Sequence, residues 1–249
     1  MNRTWILAGA ALALLTAAPV LAKAPGYEAA VAVSARPDAD KQLDAERKPA
    51  EMLSLAHVRP GMKVMDLIPG RGYFTRLFSV AVGPKGYVYA YQPSDLDGML
   101  KGKEAPINAV AKDYKNVAVV HGPVNKAVAP EALDLVWTSQ NYHDLHDSFF
   151  APADTAQVNK AVFDALKPGG TYIVLDHAAE KGSGLRDTDT LHRIDEDAVK
   201  KEVLAAGFKL AGESNALRNK DDDHKLKVFD PAIRHKTDQF ILIFRKPGK

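Results

Sequence analysis

The stretch SQNYHDLHDSFF at residues 139–150 sets His143 and His146 three positions apart, with Asp144 and Asp147 beside them. If this stretch is helical, the two imidazoles share a face. Asp176 and His177 close a later apolar run, and His192 stands in the connection after it with Arg193 and Asp195. Four of the chain's eight histidines can thus approach one mouth from three segments. Imidazole titrates near neutral pH, which suits a general base that takes a proton from an oxygen or nitrogen nucleophile. His143 is the first choice for that base and His177 the second, with Asp144 and Asp176 orienting an imidazole or holding a substrate amine. The plainer role for His143 is to cap a turn, and Asp195 reads as a helix cap. A His/carboxylate metal shell, zinc- or iron-like, is the sharper alternative. Spacing alone assigns no metal ligand, because HxxH is not the H-E-x-x-H metalloprotease signature.

Residues 64–78, VMDLIPGRGYFTRLF, hold an acid at the end of an apolar run, then a turn with Gly70 and Gly72, then a helical pattern. Glycine suits such a turn because it reaches positive φ and carries no Cβ to keep a ligand off the backbone. Strand, glycine turn and helix together make a nucleotide-type cradle, yet a glycine pair alone fits a tight turn without a ligand equally well. The next apolar run ends at Tyr91-Gln92-Pro93. Nucleotide-binding folds commonly place an acid there on the ribose hydroxyls; here the residue is Gln92. Tyr73 and Phe74 can wall a pocket or join the core, Trp137 reads as packing, and Arg47 and Lys48 read as a solvated face that can also line a substrate entrance.

Short β-branched or aromatic runs at 63–67, 86–91, 117–121, 133–139 and 170–176 read as buried strands. Helical patterns separate several of them, most clearly at 154–166, so neighbouring strands are joined by crossovers and lie parallel. The class is α/β. A helix over 195–206, with Ile194 and Val199 as a hydrophobic staple and Gly207 as its stop, precedes strands at 208–213 and 240–245. The polar stretch around Asp221, Asp222 and Asp223 reads as a solvated loop. A helical pattern over 40–57 is broken by Pro49.

Together with LKPGGTYIVLDH at 166–177 and AGF at 206–208, the glycine turn resembles the class I S-adenosylmethionine (SAM) dependent methyltransferase superfamily over roughly residues 40–245. DLIPGRGYFTR, SQNYHDLH and LHRID are nearest an exported subgroup of predicted methyltransferases. The resemblance implies a Rossmann-like fold: a seven-stranded, mostly parallel sheet with its last strand antiparallel and helices on both faces. It implies SAM as cofactor, with Asp66 as the strand-end acid, Ile68 at the first glycine position of the motif, Gly70 and Gly72 at the later ones, Gln92 at the ribose position, and Ser139, Gln140 and Asn141 near the methyl donor. Ile68 replaces a glycine, Pro69 removes a backbone donor, and Gln92 supplies no charge. The expected function is His-assisted methyl transfer to a small molecule. Its rivals are a non-catalytic ligand-binding protein on this fold and a His/Asp metal-dependent enzyme on the same scaffold.

Residues 1–22 read as a secretory signal peptide, with Arg3 before an apolar run and small residues before a cut after Ala22. This predicts an exported, periplasmic protein with no stable membrane insertion after cleavage. Residues 23–39 read as an N-terminal arm over the surface, and 40–249 as one methyltransferase-like domain. The 249-residue chain has no Cys, which excludes disulfide scaffolds, thiol nucleophiles and Cys-type metal sites. A balance of 33 Lys+Arg against 31 Asp+Glu gives no basic excess for a phosphate backbone, so no nucleic-acid partner is expected.

Overall fold

The computed structural model describes residues 26–33, 35–150 and 153–248. The signal segment 1–22 lies outside the described residues. Among the described residues, seven strands form one sheet: β1 (Lys63–Leu67), β2 (Tyr87–Pro93), β3 (Val117–Gly122), β4 (Leu133–Ser139), β5 (Leu166–His177), β6 (Lys209–Ser214) and β7 (Gln239–Arg245). Their order is β3-β2-β1-β4-β5-β7-β6. β1 through β5 pair in parallel, and β7 runs antiparallel to both β5 and β6. The strand order reverses between β1 and β4, so the connections leaving their C-terminal ends diverge and open a crevice there.

Successive strand residues face opposite sides, and each side is filled separately. Met65, Val136, Tyr172 and Val174 join one core with Val158 and Val162 of the helix Thr155–Ala165 and Val199 and Val203 of the helix Glu196–Ala205. Val64, Leu135, Trp137 and Ile173 join the other with Leu77 and Phe78 of the helix Tyr73–Val82 and Met52 and Leu53 of the helix Pro49–Leu55. Trp137 is packing, as expected: its ring lies 4.7 Å from that of Phe74 and 5.6 Å from that of Phe78. The helices expected at 154–166 and 195–206 both form, each capped by an aspartate. Asp154 accepts from the backbone N–H groups of Ala156 and Gln157, and Asp195 from that of Asp197.

Two expectations change. The segment before residue 40 is tied down rather than laid over the surface. Tyr27 Oη donates to the Val58 carbonyl at 2.7 Å, and the buried Arg36 grips Asp44 with two hydrogen bonds of 2.6 and 2.9 Å. The 215–238 connection is not simply a solvated loop either, because Asp222 is buried and binds Arg193 through both terminal nitrogens, at 2.8 and 3.1 Å. A buried carboxylate requires such a partner, and this one pins the excursion to the segment that carries His192. Among the described residues no helix is long and apolar enough to cross a membrane.

Candidate functional site

β1 ends in the middle of the sheet, so Asp66 is enclosed and its Oδ2 accepts from Thr75 Oγ1 at 2.5 Å. Burial pushes its carboxyl up to about 7, outweighing the Thr75 bonds and the Arg47 charge that favour the ionised form. The chain then turns at Ile68 with φ 60°, a left-handed conformation that β-branched residues seldom adopt. Three restraints hold it there. Its N–H donates to the Tyr91 carbonyl at 3.0 Å, its carbonyl accepts from Asn141 Nδ2 at 2.8 Å, and its side chain packs into the core. Tertiary contacts thus impose on isoleucine the backbone shape that glycine would take freely.

The two glycines of the turn serve different ends. At Gly70, φ 56°, an added Cβ would meet nothing within 4 Å, so the turn has open space on that side. At Gly72, φ 78°, a Cβ would lie 2.8 Å from Val110 Cγ2 and 2.9 Å from Ile107 Cδ1. Gly72 therefore admits the helix Ile107–Asp113 against the turn, which is a packing role. Gln92 is buried near the end of β2, where its Nε2 reaches the Pro93 carbonyl at 3.5 Å, the long limit of a hydrogen bond. Its neighbour in register on β3, His121, instead turns to Asp97 at the surface.

Ser139 closes β4 beside this turn. Gln140, φ 60°, points away from it, accepting from Arg47 Nη2 and donating to Gln239 Oε1, both at 3.0 Å. The residue that reaches the glycine turn is Asn141, which also accepts from Thr138 Oγ1. Gln140 and Arg47 instead line a cavity of about 190 Å³ together with His177, Phe229, Arg234 and Thr237. Arg47 is not on a solvated face: its guanidinium lies 4.7 Å from the Tyr73 ring, and burial draws its pKa down. Tyr73 in turn donates to Asp44 at 2.7 Å.

His177 stands at the end of β5 with Nδ1 2.8 Å from Thr237 Oγ1. Burial lowers its pKa to about 3, against the pull of Asp176, so the ring is neutral at physiological pH. His143 differs. Its Nδ1 meets Asp176 Oδ1 at 2.8 Å, its backbone N–H donates to Asp176 Oδ2 at 2.8 Å, and its Nε2 lies 3.1 Å from Asp144 and 3.2 Å from His192 Nδ1. Burial works to lower the His143 pKa, but Asp176 and Asp144 together raise it to about 10. The HxxH pair does share a 3₁₀ turn, His143–His146. Its second member nevertheless leaves the cluster, because His146 binds Glu202 at 3.2 Å.

Of the predicted site residues, the structure brings Asp66, Ile68, Gly70 and Gly72 to one turn and His143 and Asp144 to one corner of the same rim, with His177 beside that corner on the cavity wall. Gln140 joins the cavity instead of the turn. His192 and Asp147 complete the corner, although sequence could not give the direction of the His192 segment and left Asp147 as a neighbour of the histidines. Asn141, which the resemblance groups with Ser139 and Gln140, is the one whose side chain binds the glycine turn.

No protein-family model matches the chain. It is 25% identical over 170 residues to a protein-L-isoaspartate O-methyltransferase of Ignicoccus hospitalis, an alignment covering 68% of this chain and 72% of that one. It is 29% identical over 177 residues to the ubiquinone/menaquinone biosynthesis C-methyltransferase UbiE of Shewanella woodyi, covering 66% of this chain and 65% of that protein's length. A crystal structure of a SAM-dependent methyltransferase from Aquifex aeolicus superposes with a TM-score of 0.58 at 19% identity, over 85% of this chain and 98% of that one. Its sequence relatives and structural neighbours alike are SAM-dependent methyltransferases, and the chain shares their Rossmann-like fold. Within this superfamily fold, the Asp66 turn and the cavity stand side by side at the C-terminal edge of the sheet, bridged by consecutive residues, Gln140 and Asn141.

Proposed function

We propose that this methyltransferase transfers a methyl group from SAM to a small, anionic acceptor held in the cavity behind Gln140, and that it works outside the cytosol. The observation that carries this reading is the juxtaposition of the Asp66 turn with a pocket of about 190 Å³ that presents Arg47 and Arg234, its one carboxylate, Glu46, being paired with His235. The residues present fit the cofactor. Gly70 leaves open space, Ile68 keeps the glycine-like backbone while its side chain lies in the core, and the loosely bonded Gln92 amide can donate to and accept from a ribose diol. Asp66, Gly70, Gln92 and Ser139 are the residues that would hold it, with Asn141 fixing the turn.

When bound, SAM supplies an electrophilic methyl group whose carbon–sulfur bond breaks as the acceptor's oxygen or nitrogen attacks, the electron pair leaving with sulfur. Arg47 and Arg234 hold the acceptor's negative charge, and Arg47 is itself fixed by Gln140 and the Tyr73 ring. Methyl transfer depends chiefly on in-line placement, so these positioning contacts matter most. The base role passes from His143 to His177, which is unprotonated and so able to take a proton, although its lowered pKa makes it a weak base. His143 has both ring nitrogens engaged within the corner, whereas His177 lines the cavity and its ring is oriented by Thr237.

Methyl-labelled SAM, incubated with the purified protein and a fractionated extract, is expected to label an acidic small-molecule fraction; label only in protein or nucleic acid would contradict the proposed acceptor. His177→Gln should lower turnover of that acceptor by about 10²-fold, the low end for general-base catalysis as its lowered pKa requires, while affinity for S-adenosylhomocysteine stays unchanged. Equal loss of both would remove His177 from the base role. Export is tested by fractionating cells and reading the mature N-terminus, where the new terminus should follow Ala22; a retained Met1 in the cytosol would overturn the localisation.

A further inference from the structure

Asp147 is the anomaly of the histidine corner. Its side chain is fully buried, yet neither carboxylate oxygen has a hydrogen-bond partner among the described residues. A buried carboxylate without a partner is costly, and such groups are normally paired with a cation or bound to a metal. The imidazoles nearest it are those of His143 and His192, and these are already shared with Asp144 and Asp176. Arg193, the adjacent cation, is committed to Asp222. Three carboxylates thus surround two rings, and the corner is short of positive charge.

The spacing of the donor atoms is that of a coordination shell. His143 Nε2 and His192 Nδ1 are 3.2 Å apart, His143 Nε2 and Asp144 Oδ1 3.1 Å, His192 Nδ1 and Asp144 Oδ1 3.6 Å, and His192 Nδ1 and Asp147 Oδ2 3.5 Å. All four donors lie within 4.8 Å of one another. Donors about 2.0–2.1 Å from a tetrahedral zinc ion stand about 3.3 Å apart along the edges of the tetrahedron, and these four edges scatter around that length. The outer contacts point the same way. Asp176 engages His143 Nδ1 at 2.8 Å, which turns Nε2 toward the other donors, as a carboxylate behind a metal-bound histidine does. His192 is itself left-handed, φ 54°, where it caps the short helix Thr188–Leu191.

We propose that His143, Asp144, Asp147 and His192 bind one first-row transition-metal dication, zinc by preference of geometry, in a closed structural site. Two imidazoles and two carboxylates suit zinc or ferrous iron better than calcium or magnesium. Four protein donors complete a tetrahedral shell, the pattern of structural rather than catalytic zinc. The ion ties the turn after β4 to the connection after β5, immediately behind the cavity wall: the His143 ring lies 6.1 Å from that of His177, and the His192 ring 5.1 Å from that of Phe229. The site stands beside the methyltransferase reading rather than on it, since ion binding needs neither cofactor nor acceptor.

The test uses the full mature chain, stripped with a chelator, dialysed against zinc chloride and analysed for metal, with cobalt(II) chloride as a spectroscopic probe. One equivalent of zinc, a raised Tm and the visible absorption of tetrahedral cobalt are expected. Asp147→Asn is the discriminating variant, because it keeps the shape and removes the charge. With a metal site it loses stoichiometric zinc and the zinc-dependent Tm gain; without one it relieves an unpaired buried charge, so Tm without metal holds or rises and zinc changes nothing in either protein. Asp176→Asn, a positioning change, should weaken zinc binding by about 10–100-fold while leaving one site. The proposal is overturned if the stripped wild-type chain takes up no zinc above background, or if Asp147→Asn and His192→Gln both retain a full equivalent. S-adenosylhomocysteine binding, measured in chelator, reports separately on the cofactor reading.

Discussion

Ile68 shows how one residue can break a local rule and keep the local shape. A left-handed β-branched residue costs on the order of 1–3 kcal/mol, while burying its side chain returns about 1.5–3 kcal/mol; the two nearly offset, so the departure from glycine is tolerated. Ile68→Ala keeps the strained Cβ and loses the packing, whereas Ile68→Gly loses the packing and the strain together. Urea unfolding should therefore rank Ile68→Gly as more stable than Ile68→Ala, by about 1 kcal/mol, despite the smaller side chain. The reverse order would mean that Ile68 is not held left-handed. Asp66 supplies a second prediction at this scale. Its carboxyl, near 3.8 when unfolded, is pushed up to about 7 in the fold, so between those values the folded state binds more protons than the unfolded one. This contribution is therefore greatest at and below about pH 4 and is lost as pH rises through 7. In Asp66→Asn that part of the pH dependence of Tm should vanish; an unaltered slope would contradict the account of its burial. Sequence gave away Asp66 and the two glycines through the motif they match. It could not tell that Gly72 serves the helix at 107–113, because that contact joins segments whose packing is set by the sheet.

Between elements, the Arg193–Asp222 pair is the decisive contact that patterning hid. Three consecutive aspartates read as solvent-facing, and the buried one is distinguished only by the arginine that β5 and its following connection bring to it. Removing one partner leaves a buried charge alone and typically costs 3–5 kcal/mol. Arg193→Met should therefore destabilise the fold by about that amount and expose the 215–238 connection to proteolysis, with Arg193→Met/Asp222→Leu recovering much of the stability. A single substitution with no effect on the urea midpoint would show that the pair does not hold this connection. By contrast, the strands at 63–67 and 133–139 were readable to the residue, because both cross the centre of the sheet and are apolar on both faces. β5 begins earlier than its apolar run suggests. Pro168, Gly169 and Gly170 mask its first turn of pairing, where the register with β4 shifts.

At the scale of the whole molecule, the strand order β3-β2-β1-β4-β5-β7-β6 places every chemically suggestive segment on one edge of the sheet. The alternation of strands and helices made that edge foreseeable, and with it the meeting of residues 66–72, 139–147 and 177. What could not be foreseen was the division of the edge into a glycine turn, an arginine-lined cavity and a histidine corner. That division is decided by the side chains of Gln140 and Asn141, which leave consecutive positions in opposite directions, one to Arg47 and Gln239 and the other to Ile68. The account rests on the first of these three compartments. Calorimetric titration of the purified protein with S-adenosylhomocysteine addresses it most directly: one site with micromolar affinity is expected, weakened in Gln92→Ala and preserved in His177→Gln. Absence of heat together with an unchanged Tm at millimolar ligand would contradict it.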